Sequence, residues 1–311
     1  MTQTQPFELS QAEFRELFKQ CSNWGRWGAD DERGTLNLIT PEQTKRAAAL
    51  VQQGVSVSCA WPLNTVPSSE NRSPALHLMV RAGDVADAVA NRSTADYLAL
   101  APHGLAHSHL DALCHVSWEG KLYNDRPVSV VTSNGALKNA ITIGQDGIVT
   151  RGVLLDIPLV KGMDSLEPGA AISPTDLEEA ESAAGIRVEP GDVLMIRTGR
   201  HRRQALHGTW DTGKLMAGLH FTCMPWIKER GVALLGSDGI SDVRPSAVEG
   251  TTLPIHTLTL TAMGMQLLDN LNLDDLADAC SRFNRWEFWL TIAPLRLERG
   301  TASAVNPIAV F

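Results

Sequence analysis

The chain has 311 residues, 43% of them hydrophobic and 20% charged, and at 33.7 kDa it suits one large domain rather than a disordered, fibrous or disulfide-stapled protein. Its 27 Lys and Arg stand against 35 Asp and Glu, a formal charge of −8, and the basic residues form no long run that could neutralise a row of phosphates, so neither nucleic acid nor a membrane surface is an expected partner. Five scattered cysteines (Cys21, Cys59, Cys114, Cys223 and Cys280) include no C-x-x-C pair, and the polar start and the lack of about eighteen consecutive apolar residues argue against a secretion signal or a membrane span; the chain reads as cytoplasmic, with reduced thiols.

In chain order, residues 1–40 read as an N-terminal arm on a single domain covering 1–311. Thr40-Pro41-Glu42-Gln43 supplies an N-cap, a first-turn proline and a capping-box glutamine, which predicts a helix from Pro41 to Gln53 ahead of Gly54. Val153 to Ile157 is a short apolar run suited to a buried strand. Pro174 to Ala184 repeats the helix pattern behind Ser173 and before Gly185. Strands are expected at Asp192 to Arg197 and Val232 to Leu235, with a short helix from Met224 to Arg230 between them. A further strand is expected at Ile255 to Leu260 and a last helix at Leu273 to Phe283. Strands interleaved with helices, without regular β-then-α alternation, imply an α/β fold with a mixed β-sheet core and flanking helices rather than an eight-fold barrel.

The chemistry concentrates between His103 and His115, where four of the nine histidines fall within thirteen residues. If His103 to Asp111 is extended, the two-residue period places His103, His107, His109 and Asp111 on one face, a mixture of nitrogen and oxygen donors suited to Zn²⁺ or Mn²⁺. His115 lies past this pattern, beyond the point where the chain turns, and reads as a proton carrier. Its neighbour Cys114 reads as a structural thiol, because adjacent side chains point apart.

The motif Ser108-His109-Leu110-Asp111-Ala112, with His115 four residues on, resembles the signature of the cyclase family of metal-dependent hydrolases, which includes bacterial kynurenine formamidases, isatin hydrolases and lactone-opening enzymes. The resemblance extends through Trp27 to Pro41, Arg151 to Asp156, Gly191 to Gly199, Leu235 to Asp238, Pro254 to His256, Gly264 and Asp269 to Leu273. It implies a swivelling β/β/α-type fold and a homodimer or homotetramer. It also implies one or two divalent ions per chain, Mn or Zn, held by His109 and Asp111, with His256 and Asp269 completing a second site and His115 as the catalytic acid/base. The substrate it implies is a small amide, lactam or lactone, quite modest in size and open to an aromatic group. Two positions depart from the shorter members: Leu105 stands where they carry a ligand histidine, leaving His103 or His107 to replace it, and Asp269 stands where they carry Glu.

Trp118, close behind His115, is the first candidate among five tryptophans (with Trp61, Trp226, Trp286 and Trp289) for a substrate pocket. Asp238 and Asp242 lie in a Gly/Pro-punctuated loop after a buried strand, where sites often lie, and read first as turn formers and second as site residues, and Arg197 either receives a substrate carboxylate or pairs with an internal acid. Three rival enzyme readings fare worse. A non-haem Fe(II) oxygenase using 2-oxoglutarate would carry a basic residue after the distal histidine, yet Thr257 to Ala279 has none. A metallo-β-lactamase would place a histidine where Ala112 stands, and an amidohydrolase barrel would carry its His-x-His pair near the N-terminus. A metal- or ligand-binding protein that keeps the fold without turnover is the non-enzymatic alternative.

Overall fold

The structure, a computed structural model, describes residues 8–84 and 93–311. Its first element is α1 (Gln11–Cys21), where Ser10 and Glu13 form a reciprocal capping box and Phe14, Phe18 and Cys21 are buried. Residues 8–40, read as part of an arm, therefore contribute a helix to the core, while residues 1–7 of that arm lie outside the described residues. Next come α2 (Pro41–Ala48), capped by Thr40 and Gln43 as the motif predicts but ending before Gln53, then β1 (Ser56–Ser58) and the antiparallel pair β2 (Leu76–Arg81) and β3 (Ala95–Ala99).

Apart from short turns of helix and two-residue strands, the elements that follow are β4 (His109–Asp111), β5 (Ile148–Asp156), α3 (Pro174–Ala184), β6 (Val193–Arg197), α4 (Arg200–His207), α5 (Cys223–Arg230) and β7 (Leu234–Ser237). They are followed by α6 (Pro254–His256), which runs on as π-helical turns over Thr257–Met263, then β8 (Leu267–Asp269), α7 (Leu273–Phe283), β9 (Glu287–Ile292), β10 (Ala302–Ala304) and β11 (Ile308–Val310). Nine strands form one mixed sheet in the order β1-β11-β9-β5-β6-β7-β8-β4-β10, with β5, β6, β7 and β8 mutually parallel and the outer pairs antiparallel.

The short apolar runs are strands because both faces of the sheet are covered. Val153, Leu155, Leu194 and Ile196 pack into one cluster with Phe14, Leu177 and Ile227 from the helices on that side. Their neighbours Leu154, Val193 and Met195 point the other way, into a second cluster with Leu276 and Cys280 of α7 and with Phe288 and Phe311. With each alternate residue buried on an opposite face, the sequence shows continuous apolarity instead of alternation.

The expected strand at Ile255 to Leu260 is a helix. Pro254 fits the first helical position, the carboxylate of Asp242 accepts from the backbone N–H of Ile255 (2.7 Å) and His256 (3.3 Å), and the Thr257 and Thr259 hydroxyls donate back to the carbonyls of Leu253 and Ile255. Every residue from Pro254 to Met263 is buried, so no polar stripe betrays the helical period. Gly264 ends the segment at φ +67°, and a β-carbon there would lie 2.4 Å from the Tyr123 ring.

Candidate metal centre

β4 runs antiparallel between β8 and β10, with His109 opposite Asp269 on one side and Ala304 on the other, and Asp111 opposite Leu267 and Ala302. Residues directly opposite share a face, and so do residues two apart, which brings His109, Asp111 and Asp269 together while Leu110 enters the core behind them. The alanines of β10 leave room beside the histidine and the carboxylate.

Two groups of side chains meet at Asp111. His103, His109 and Asp111 form one; Asp111, His256 and Asp269 form the other, and the donor atoms within each group lie within 4.8 Å of one another. In the first, His103 Nδ1 lies 2.9 Å and His109 Nε2 3.4 Å from Asp111 Oδ1. In the second, His256 Nε2 is 3.6 Å from Asp111 Oδ2 and 3.3 Å from Asp269 Oδ2. His109 Nδ1 donates to the carbonyl of His107 (2.9 Å), which fixes the ring with its Nε2 toward Asp111.

His103, not His107, joins the cluster. The strand begins only at His109, so the two-residue period does not reach back to position 107. The His107 ring is fully buried, with Nδ1 accepting from the Asn64 N–H at 3.4 Å. His115 stacks on His103, ring centres 3.8 Å apart and 14° from parallel, with Nε2 4.0 Å from Asp111 Oδ2. These two side chains form the open side of the centre, at 31% and 28% exposure against 1% for Asp111.

Electrostatics favour a cation here. Asp111 Oδ2 and Asp269 Oδ1 are buried with no hydrogen-bond partner, and two carboxylates facing one another in a dry site repel. Burial, together with the Asp111 charge, raises Asp269 above the usual carboxylate range. Burial acts the same way on Asp111, but hydrogen bonds from His103 and His109 outweigh it and hold that carboxyl well below the usual range. Burial lowers His109 and His256, and their carboxylate neighbours more than reverse this, raising both. His115 is depressed to about 4, chiefly by burial, with the surrounding imidazoles adding to it against the pull of Asp111. The donor set of imidazole nitrogens and carboxylate oxygens, with two oxygens lacking partners, fits a divalent metal ion.

Asp242, which the sequence offers first as a turn former, is the partner of His256, a role the sequence reading did not give it. Its Oδ2 lies 2.5 Å from His256 Nδ1, which fixes the ring and turns Nε2 toward Asp111 and Asp269. The usable signal was chemical: a ligand histidine needs a partner for its second nitrogen, and a carboxylate stands fourteen residues upstream. Asp242→Asn should weaken metal affinity by about 10–100-fold while the chain stays folded, which metal titration followed by calorimetry would read. Unchanged affinity would show that His256 holds its orientation without this carboxylate.

The other polar candidates are structural. Asp238 accepts from the N–H groups of Thr198, Gly199 and Arg200 and from the Thr198 hydroxyl, capping α4. Arg197 pairs with Asp156 at 2.9 Å and Asp274 at 2.8 Å, the internal-acid alternative. The Cys114 thiol is buried and pushed up to about 12, which suits packing rather than nucleophilic attack. Trp118 stacks on Phe18 (4.4 Å between ring centres, 28° from parallel) and meets Phe14 edge-on, which ties it to α1. Trp226 and Trp286 are core residues.

Residues 37–242 match the cyclase family. A crystal structure described as a novel cyclase is 32% identical, covers 93% of this chain and 99% of its own, and superposes with a TM-score of 0.83. The chain is a member of the cyclase family. Its large mixed sheet flanked by helices is the fold of that family. More distant relatives share this fold. Isatin hydrolase A from Labrenzia aggregata, bound to benzyl benzoate, is 19% identical over 85% of this chain and 94% of its own, with a TM-score of 0.58. A protein from Bacillus stearothermophilus described as a predicted metal-dependent hydrolase is 14% identical over 82% and 97%, with a TM-score of 0.51. No curated protein sequence matches this cyclase-family chain. No helix among its described residues is long and apolar enough to cross a membrane.

Proposed function

We propose that this cyclase-family chain is a divalent-metal-dependent hydrolase that cleaves or opens a small amide, lactam or lactone. The observation that carries the reading is Asp111, a buried carboxylate shared by two histidine-containing groups, with Asp111 Oδ2 and Asp269 Oδ1 left without partners. His103, His109 and Asp111 would hold one ion, and Asp111, His256 and Asp269 would hold a second. When bound, a divalent cation supplies a water acidified toward neutrality and a Lewis acid for the substrate carbonyl.

The protein's own groups do the rest. His115, neutral at physiological pH and on the open side of the centre, takes the proton from the attacking water and returns it to the leaving nitrogen or oxygen. The stacked His103 ring fixes the plane of His115, so that proton moves along a set direction. Asp242 holds His256, and the His107 carbonyl holds His109, so neither donor has to be ordered when substrate arrives. Isatin hydrolases within the same fold support a cyclic amide as the first substrate to try.

The direct test is hydrolysis of isatin, formanilide and a simple aromatic lactone by protein loaded with Mn²⁺ or Zn²⁺, before and after chelation. Turnover that chelation abolishes and the metal restores is the expected outcome. A stoichiometric ion with no turnover of any of the three would favour a metal-binding protein of the same fold.

The same reading includes cytoplasmic work as a homodimer or homotetramer. Among the described residues, the β2–β3 pair exposes Leu78, Met79, Val80, Tyr97 and Leu98, each at least half uncovered, which supports an assembly that buries them. Light scattering should give two or four chains per particle; a monomer at micromolar concentration would end that part of the proposal.

A further inference from the structure

Next to the metal centre lies a cavity of about 450 Å³ whose walls include Trp61, Glu70, Leu105, His201, Gln204 and Asn270. It shares two segments with the centre: Leu105 belongs to the loop between His103 and His107, and Asn270 directly follows Asp269. The opposite wall is the loop from Asn64 to Asn71, which the Asn71 side chain closes by donating from Nδ2 to the carbonyls of Asn64 (3.0 Å) and Val66 (2.9 Å). Trp61 is fixed by its indole N–H on the Leu271 carbonyl and faces His201, with the ring centres 4.5 Å apart.

The charge of this cavity is set by Arg200 behind it, which is 3% exposed. Arg200 donates from Nη2 to Glu70 Oε2 (2.7 Å) and from Nη1 to Asn270 Oδ1 (2.9 Å), so its charge is already matched by that of Glu70. Nη1 also lies 3.1 Å from His201 Nε2. A guanidinium only donates, so that nitrogen carries the lone pair and the imidazole proton sits on Nδ1. Burial, reinforced by Arg200, depresses His201 to about 3, in keeping with a neutral ring. The walls thus offer an indole face, a neutral imidazole and several side-chain amides, while the carboxylate present is bound to an arginine that has no charge to spare.

We propose that this cavity is the specificity subsite of the metal centre and that it takes an uncharged, planar aromatic amide in preference to one bearing a free carboxylate. The word subsite rests on the hydrolase reading; the ligand chemistry rests on the cavity. A flat ring gains the Trp61 face, and an amide exchanges its water contacts for His201, Gln204 and Asn270. A carboxylate held in the cavity would be stripped of water beside Glu70 with no cation among the lining residues to receive it.

The experiment is calorimetric binding of acetanilide and 4-acetamidobenzoate to the metal-loaded chain, in wild type, Glu70→Gln and Gln204→Lys. Wild type should bind acetanilide at least about tenfold more tightly than the acid. Glu70→Gln releases Arg200 from its counter-ion, and Gln204→Lys adds a cation at a partly exposed wall position that should tolerate it; each should narrow the ratio to below about threefold. Equal binding of both probes by wild type, binding of neither, or a ratio unmoved in the folded variants would overturn the proposal. Formanilide hydrolysis, followed separately, keeps the two readings apart. Charge-selective binding without turnover would fail the hydrolase and leave the cavity's ligand chemistry standing, whereas turnover without charge selectivity would do the reverse.

Discussion

Asp111→Asn and His109→Ala should each yield a folded chain that no longer carries a stoichiometric divalent ion. Wild type purified without chelators or an affinity metal column should retain one or two Mn or Zn per chain by elemental analysis, and both variants less than about a tenth of that. The expected loss is large because Asp111 belongs to both donor groups: its Oδ1 faces His103 and His109, and its Oδ2 faces His256. Asparagine keeps the shape but removes the charge that a cation would compensate. Thermal unfolding gives a second readout, since an ion that binds only the folded state adds about 4 kcal/mol of stability at a thousand times its Kd. Added metal should therefore raise the melting temperature of wild type and leave that of Asp111→Asn nearly unchanged. A wild type that is metal-free and rejects added ions would remove the basis for the proposed mechanism.

The parts of this centre that were legible in the sequence are those held by local chain geometry. His109 and Asp111 are two residues apart on one strand, so their shared face follows from the period of a strand, and the caps of α2 and α3 follow from side chains within one turn. Other features depend on where an element starts. His103 and His107 compete for the same place by spacing alone, and the contest is settled by β4 beginning at His109 and by Asn64, some forty residues upstream, engaging the His107 ring. The helix carrying His256 was hidden for a different reason: a segment buried on every side has no polar face to reveal its period, and its threonines and isoleucine favour strands in isolation. Asp242 and His201 were beyond local reading altogether, because each acquires its meaning from a partner on another element, His256 for one and Arg200 with Trp61 for the other.

His115→Ala should keep the metal and lose about 10²–10⁴-fold in kcat on whichever amide or lactone wild type hydrolyses, the usual contribution of a positioned acid/base. Metal retention is expected because His115 lies outside both donor groups, and its closest approach to Asp111 is 4.0 Å. The pH profile sharpens the assignment. Burial depresses His115 to about 4, so the ring is neutral and able to accept a proton through pH 5–8. Protonation removes the base as pH falls through that value, so the wild-type rate should be level near neutrality and turn down only toward pH 4. Loss of metal from His109 and His256 would also produce an acid limb, and metal content measured at each pH separates the two causes. If His115 carries the proton, wild type loses rate while its metal is still bound, and the variant, already slow, shows no further fall over that interval. A variant with full turnover would remove the proton-transfer role from His115 and leave it as the ring that holds His103 in place.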